Sequence, residues 1–218
     1  MSNSKPQAGA APRRPNILFL YPDQWRYDWV EWNPALPVRT PNVARLARQG
    51  ARFDRAVTPS PVCAPARACL ASGKEYDRCR TPSNNVSYPL DQTTIYTLLR
   101  DAGYRVLGCG KFDLDKPILE WGLDGKRLIH EWGFSDGIDN EGKMDAIQAW
   151  RRFGGPTGPY MALLKERGFA EIHVEDMTGR KERGTDPTPL PEELYCDNWL
   201  AENGLRLLRN FAGLAAHA

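Results

Sequence analysis

Long apolar runs are missing from this sequence. No eighteen consecutive apolar residues occur among its 218, so nothing in it reads as a membrane-spanning helix. An excess of charge of one sign is missing too. There are 29 basic and 27 acidic side chains, a net +2, which gives no electrostatic footing for nucleic acid or an anionic membrane surface. Histidine is scarce, and none of His130, His173 and His217 stands in a pattern that gives it a role. The cysteines, Cys63, Cys69, Cys79, Cys109 and Cys196, are odd in number, and their early spacings match no common zinc pattern. A reduced, cytoplasmic thiol set is the plain reading. Residues 1–14 are rich in Ala, Pro and Ser with several basic residues, but they lack the apolar centre of a secretory signal. They read as a disordered leader. No internal repeat is found.

What is present suits one soluble α/β domain. Hydrophobic residues make up 41% and charged residues 26%, and the length allows a real core. Residues 16–21 form an apolar run between Pro15 and Pro22, the pattern of a strand buried on both faces. Asp23 and Gln24 follow at its end, where open α/β sheets gather ligands. Thr40 and Pro41 predict a helix start, with Gly50 at its C-terminal end. A short strand is expected over 51–57, then a Pro-rich loop over 58–63. A helix from Ala64 is closed by Gly73, so Cys63 sits at or next to its N-terminus. Further helices are expected at 93–102, 143–152, 160–167 and 191–209, and a strand at 104–108. Residues 113–142 read as a long loop. Trp25, Trp29 and Trp32 suit one face of a helix packed on the sheet better than a pocket wall near Asp23.

Several residues carry chemistry. Alone, Cys63 reads as an inert small residue. Asp23 alone would be a turn or cap residue after a strand. Lys111 alone would be a solvated loop lysine. The segment Cys63-Ala-Pro65-Ala-Arg67, running on through Leu70 to Ser72 and Gly73, resembles the signature of the sulfatase family. Its context adds specificity: the 16–23 strand, the helix over Thr40 to Gly50 with Leu46, then Phe53, Ala56 and Cys63. Residues 93–103, Arg105, Val106, Gly110 and Lys111 continue the likeness, which covers most of 15–115 and more loosely 130–210.

The resemblance implies the N-terminal part of an alkaline-phosphatase-like fold, a mostly parallel sheet sandwiched by helices. It implies that a formylglycine-generating or sulfatase-maturating enzyme reads Cys63, Pro65 and Arg67 and oxidises Cys63 to formylglycine. The hydrated aldehyde attacks a small sulfate ester, and its second hydroxyl lets the bound sulfate leave. Cys63, Arg67 and Lys111 are then catalytic. Asp23, Gln24 and residue 63 hold a divalent cation, Ca²⁺ before Mg²⁺ or Mn²⁺. Lys74 stands where the family commonly has Arg. Asp113 replaces the usual His, and a carboxylate repels sulfate, so it is expected to face away, to pair with Lys111 or Lys116, or to signal a different substrate. The Asp-Gln pair resembles choline-sulfatase and phosphonate monoester hydrolase-like members. The expected organisation is a leader (1–14), an incomplete catalytic domain (15–210) and an atypical tail (211–218). No late Asp-His or Asp-Asn pair completes a metal site. Three readings stay open: a sulfuric ester hydrolase, a phosphonate monoester or phosphodiester hydrolase, and a truncated, inactive remnant.

Overall fold

A computed structural model describes residues 14–183 and 186–215. All of the expected leader except Arg14, together with His217, lies outside these residues. The chain divides into two compact units, residues 1–56 and 57–218.

The first unit contains α1, Pro41–Gln49. Thr40 precedes it but does not cap it. Its Oγ1 instead accepts the Glu31 amide at 3.0 Å, and Glu31 Oε2 accepts the Thr40 amide at 3.1 Å. Gly50 ends the helix in an extended rather than left-handed conformation. Two expected strands are absent here. Residues 16–21 are irregular, and Ile17, Leu18, Phe19 and Leu20 are exposed by 62%, 72%, 61% and 66%. A strand of that composition is stable only with partners on both edges and cover on both faces, and the described residues of this unit contain no other strand. Residues 51–57 fail in the same way, as a loop pinned by the Arg52–Asp54 ion pair and the Tyr27 hydroxyl on Asp54. The tryptophans lie in turns rather than on a helix. Trp25 Nε1 donates to the Trp29 carbonyl at 2.8 Å, a local bond that a helical stripe would not make.

The second unit holds six α-helices among its described residues: α2 (Cys63–Ser72), α3 (Ile95–Asp101), α4 (Lys143–Phe153), α5 (Pro159–Glu166), α6 (Ala170–Arg183) and α7 (Cys196–Ala215). Strands β1 (Leu107–Gly110) and β2 (Asp136–Asp139) pair in parallel, with Leu107 opposite Asp136 and Gly110 opposite Asp139. The expected loop over 113–142 therefore contains β2, whose Asp-Gly-Ile-Asp sequence is too short and polar to announce a strand. The expected strand at 104–108 is shifted toward Lys111, which follows β1 directly. α6 was not anticipated, and α7 runs past the expected boundary at 210 to Ala215.

Two cores organise this unit. One gathers Ala68, Cys69 and Ala71 of α2 with Cys79, Tyr88, Leu114, Ile129, Trp132 and Phe134. The other gathers Ala146, Tyr160, Met161, Leu164, Ala170, Leu190, Leu194 and Cys196. The strands approach closely because both carry glycine. A Cβ on Gly137 would lie 2.3 Å from the Gly108 carbonyl oxygen, and one on Gly108 would strike the Phe112 and Phe134 rings at 2.6 Å.

Candidate active site

Helix α2 begins at Cys63, after Val62 in extended backbone. Its first amides are dealt with locally. Asn84 Oδ1 accepts from the Ala64 amide at 3.0 Å, and Pro65 has no amide to satisfy, which suits the first turn. Ala64, Ala68 and Ala71 are completely buried, so the helix sits close against its surroundings with no large side chain between. Gly73 closes it in the left-handed conformation, its amide bonded to the Cys69 carbonyl.

One turn after Cys63, the nearly buried Arg67 donates from one guanidinium nitrogen to the Lys111 carbonyl. This joins α2 to the end of β1. The Lys111 ammonium lies 3.5 Å from Cys63 Sγ and 3.2 Å from Asp113 Oδ2. The same Asp113 oxygen meets Lys116 Nζ at 3.2 Å, and Lys116 also bonds Asp145. Asp139, the last residue of β2, accepts the Phe112 amide at 3.0 Å. The turn that carries Lys111 is thus tied to both strands.

Burial pushes the Asp139 carboxyl well above the ordinary carboxylate range, and the charges of Asp113 and Glu141 push the same way against the Phe112 amide and Arg67. Glu141 rises to about 7, chiefly through burial; its Oε1 accepts the Met161 amide at 2.9 Å at the start of α5. Burial likewise raises Cys69 and Cys109 to about 11 and Cys196 to about 12, which holds these thiols protonated and unreactive at neutral pH.

The structure therefore brings Cys63, Pro65, Arg67, Lys111 and Asp113 together. Lys74 goes elsewhere: its ammonium donates to Gln92 Oε1 at 2.9 Å, tying the exit of α2 to that segment. Asp23 and Gln24 are exposed turn residues of the first unit, Gln24 with φ 55°. Among the described residues, no group of three or more His, Cys, Asp or Glu side chains could hold a metal ion. Sequence reasoning missed Asn84, Asp139 and Asp145, and bore on Lys116 only as a partner for Asp113. The one signal of the three was a carboxylate at an element end, or an amide in a turn for Asn84. Asp139 in particular was set aside as a loop residue.

The Sulfatase family model matches residues 15–188. The chain belongs to the sulfatase family. Among curated proteins, this sulfatase chain is similar to the uncharacterized sulfatase YidJ of Escherichia coli, 38% identical over 103 residues, 47% of this chain and 21% of that protein. It is 36% identical to the choline-sulfatase of Rhizobium meliloti over 104 residues, 48% of this chain and 20% of the relative. It is 38% identical to the multifunctional alkaline phosphatase superfamily protein PehA of Trinickia caryophylli over 100 residues, 42% and 19% of the two chains. The match thus spans about a fifth of the length of these relatives. Membership implies a divalent metal and a formylglycine in general. No helix among the described residues is long and apolar enough to cross a membrane.

Proposed function

We propose that the chain carries the nucleophile half of a sulfuric ester hydrolase. The observation that supports this most is the position of Cys63: first residue of α2, one turn before Arg67 and 3.5 Å from the Lys111 ammonium. A formylglycine made from Cys63 would supply a nucleophilic hydroxyl and an exit for the bound sulfate. The chain's own groups have separate tasks. Lys111 binds and orients the anionic oxygens of the ester, aided by the partial positive charge of the α2 N-terminus. Arg67 fixes the Lys111 backbone, so the ammonium and residue 63 keep one geometry. Asp139, with its carboxyl pushed toward the neutral form, secures the turn with little added negative charge near the anion.

Asp23, Gln24 and residue 63 are the residues we assign to the divalent cation, with Ca²⁺ preferred. They fall short of the six to eight or so oxygens such an ion takes, so they do not fit it alone. A second reading, cleavage of phosphonate monoesters or phosphodiesters, is favoured by the Asp23-Gln24 pair, which resembles phosphonate monoester hydrolase-like members, and by the absence of the usual His at position 113. The maturating enzyme that would read Cys63, Pro65 and Arg67 is the partner this proposal requires. Cysteines that are all free suit a reducing, cytoplasmic setting.

A panel of aryl sulfate, phosphonate monoester and phosphodiester substrates tests the proposal on chain bearing the aldehyde, with Ca²⁺, Mg²⁺ or Mn²⁺ supplied. Turnover of the sulfate ester that disappears in Cys63→Ala is the expected result. Turnover confined to the phosphorus esters would move the assignment to the second reading. No turnover of any ester with the aldehyde in place would leave the inactive remnant.

A further inference from the structure

Asp113 occupies the one position where the motif's chemistry looks wrong, and the structure gives that carboxylate a definite task. Its side chain is fully buried, with 0% exposure, so it is not presented to a substrate. Its two oxygens are used unequally. Oδ2 meets Lys111 Nζ and Lys116 Nζ, each at 3.2 Å, whereas Oδ1 has no hydrogen-bond partner. The chain of charges continues, because Lys116 also bonds Asp145 of α4. Lys111, Asp113, Lys116 and Asp145 thus form a row of alternating sign, and the two lysine side chains are only 15% and 11% exposed. Asp113 also sits in the left-handed region at φ 51°, a costly conformation for a residue with a Cβ. Asp tolerates it better than most. A buried carboxylate with one unpaired oxygen and a strained backbone is a poor device for stability. It is a good device for holding an ammonium at a fixed point.

We propose that Asp113 is a positioning residue: its carboxylate, held in turn by Lys116 and Asp145, fixes the Lys111 ammonium over residue 63. Arg67 fixes the other end of the same lysine through its carbonyl. Position 113 therefore acts through Lys111, not on the ester, and a carboxylate serves there without meeting the anion. Lys116 balances the charge that Asp113 brings, and Asp145 keeps Lys116 from swinging away. This role deepens the hydrolase reading and rests on it, but the placement exists in the thiol form of the chain and is measurable there.

The test uses purified full-length chain with Cys63 as the thiol and o-phthalaldehyde, which joins a thiol and an amine only where the two lie side by side. The product is a fluorescent isoindole, located by mass spectrometry of the digested chain. The native chain is expected to give a bridge between Cys63 and Lys111 that Lys111→Arg abolishes. Asp113→Asn should lower the bridge yield by on the order of tenfold, the factor carried by loss of one charge-assisted hydrogen bond. Asp113→Glu should restore part of it, and Asp145→Asn should give a smaller loss. Circular dichroism and the thermal transition establish which variants remain folded. If Asp113→Asn does not fold, the Asp145→Asn and Asp113→Glu pair carries the test. Native bridge yield in folded Asp113→Asn, or native yield in both fallback variants, would overturn the positioning role. Failure of the hydrolase reading shows separately, as a Cys63 that a maturating enzyme never converts.

Discussion

At the scale of single residues, the cluster around Cys63 works by restraint. Arg67 spends its guanidinium on a backbone carbonyl, Asp139 takes a backbone amide, and Asp113 takes two ammoniums. In the proposed hydrolase, Lys111 and residue 63 are the groups of this cluster that meet the ester. Beyond this row, Glu141 makes a pH dependence predictable. Its carboxyl is 1% exposed and rises from 4.5 to about 7. The folded state thus keeps its proton over a range where the unfolded chain has already released it. The associated stability is full below about pH 4.5 and is lost as pH rises through about 7, with a total on the order of 3 kcal/mol. Asp139, also raised by burial, acts in the same direction. The buried His173 is lowered by burial and acts in the opposite one. Lys143, Tyr160 and Cys196 lie near the same core. Urea unfolding of Glu141→Gln beside the native chain isolates the one group. The native chain should lose stability relative to the variant between pH 4.5 and 7.5, and a difference that stays flat would refute the assignment.

At the scale of elements, what was legible followed from local chemistry, and what was not depended on partners far along the chain. The helix over α2 could be read from its small residues and closing glycine. Thr94 caps α3 as its type suggests, with its side chain accepting the Thr97 amide. β2 could not be read, because Asp136 and Asp139 are polar and the strand exists only by pairing with β1. The same dependence undid the expected strand at 16–21, where composition is right for burial but the described residues of its unit supply no neighbouring strand. The site divides along the same line. Cys63, Pro65, Arg67 and Lys111 were visible in a linear motif, while Asp139 and Asp145 are joined to it only by folding. Two glycines separate close approach from backbone conformation. Gly73 has φ 64° with open space around its would-be Cβ, so Gly73→Ala should cost about 1 kcal/mol from conformation alone. A Cβ added at Gly137 would lie 2.3 Å from the Gly108 carbonyl oxygen, so Gly137→Ala must part the strands and should cost several times as much. Chemical denaturation of the two variants checks the order, and equal losses would contradict the close strand contact.

At the scale of the whole molecule, two features bear on how the chain behaves. The first is the exposed apolar run of Ile17, Leu18, Phe19 and Leu20, an exposed patch of the kind that promotes association. Sedimentation should show self-association that grows with concentration and weakens in Leu18→Lys/Leu20→Lys. A monomer with a sharp thermal transition at high concentration would count against it. The second is the burial of the residues that the proposed maturating enzyme would read. Pro65 lies among the fully buried side chains and Arg67 is 9% exposed, so the Cys63 segment is accessible as an extended chain and closed once α2 has formed. The central claim is that Cys63 is a formylglycine position, and the mass of the peptide that carries it tests this most directly. The chain is made in cells with and without a formylglycine-generating enzyme, and the folded, purified chain is also treated with that enzyme afterwards. The expected result is the lighter aldehyde mass at residue 63 when the enzyme is present during synthesis, and the unchanged thiol mass in the other two samples. A thiol at Cys63 in all three would contradict it.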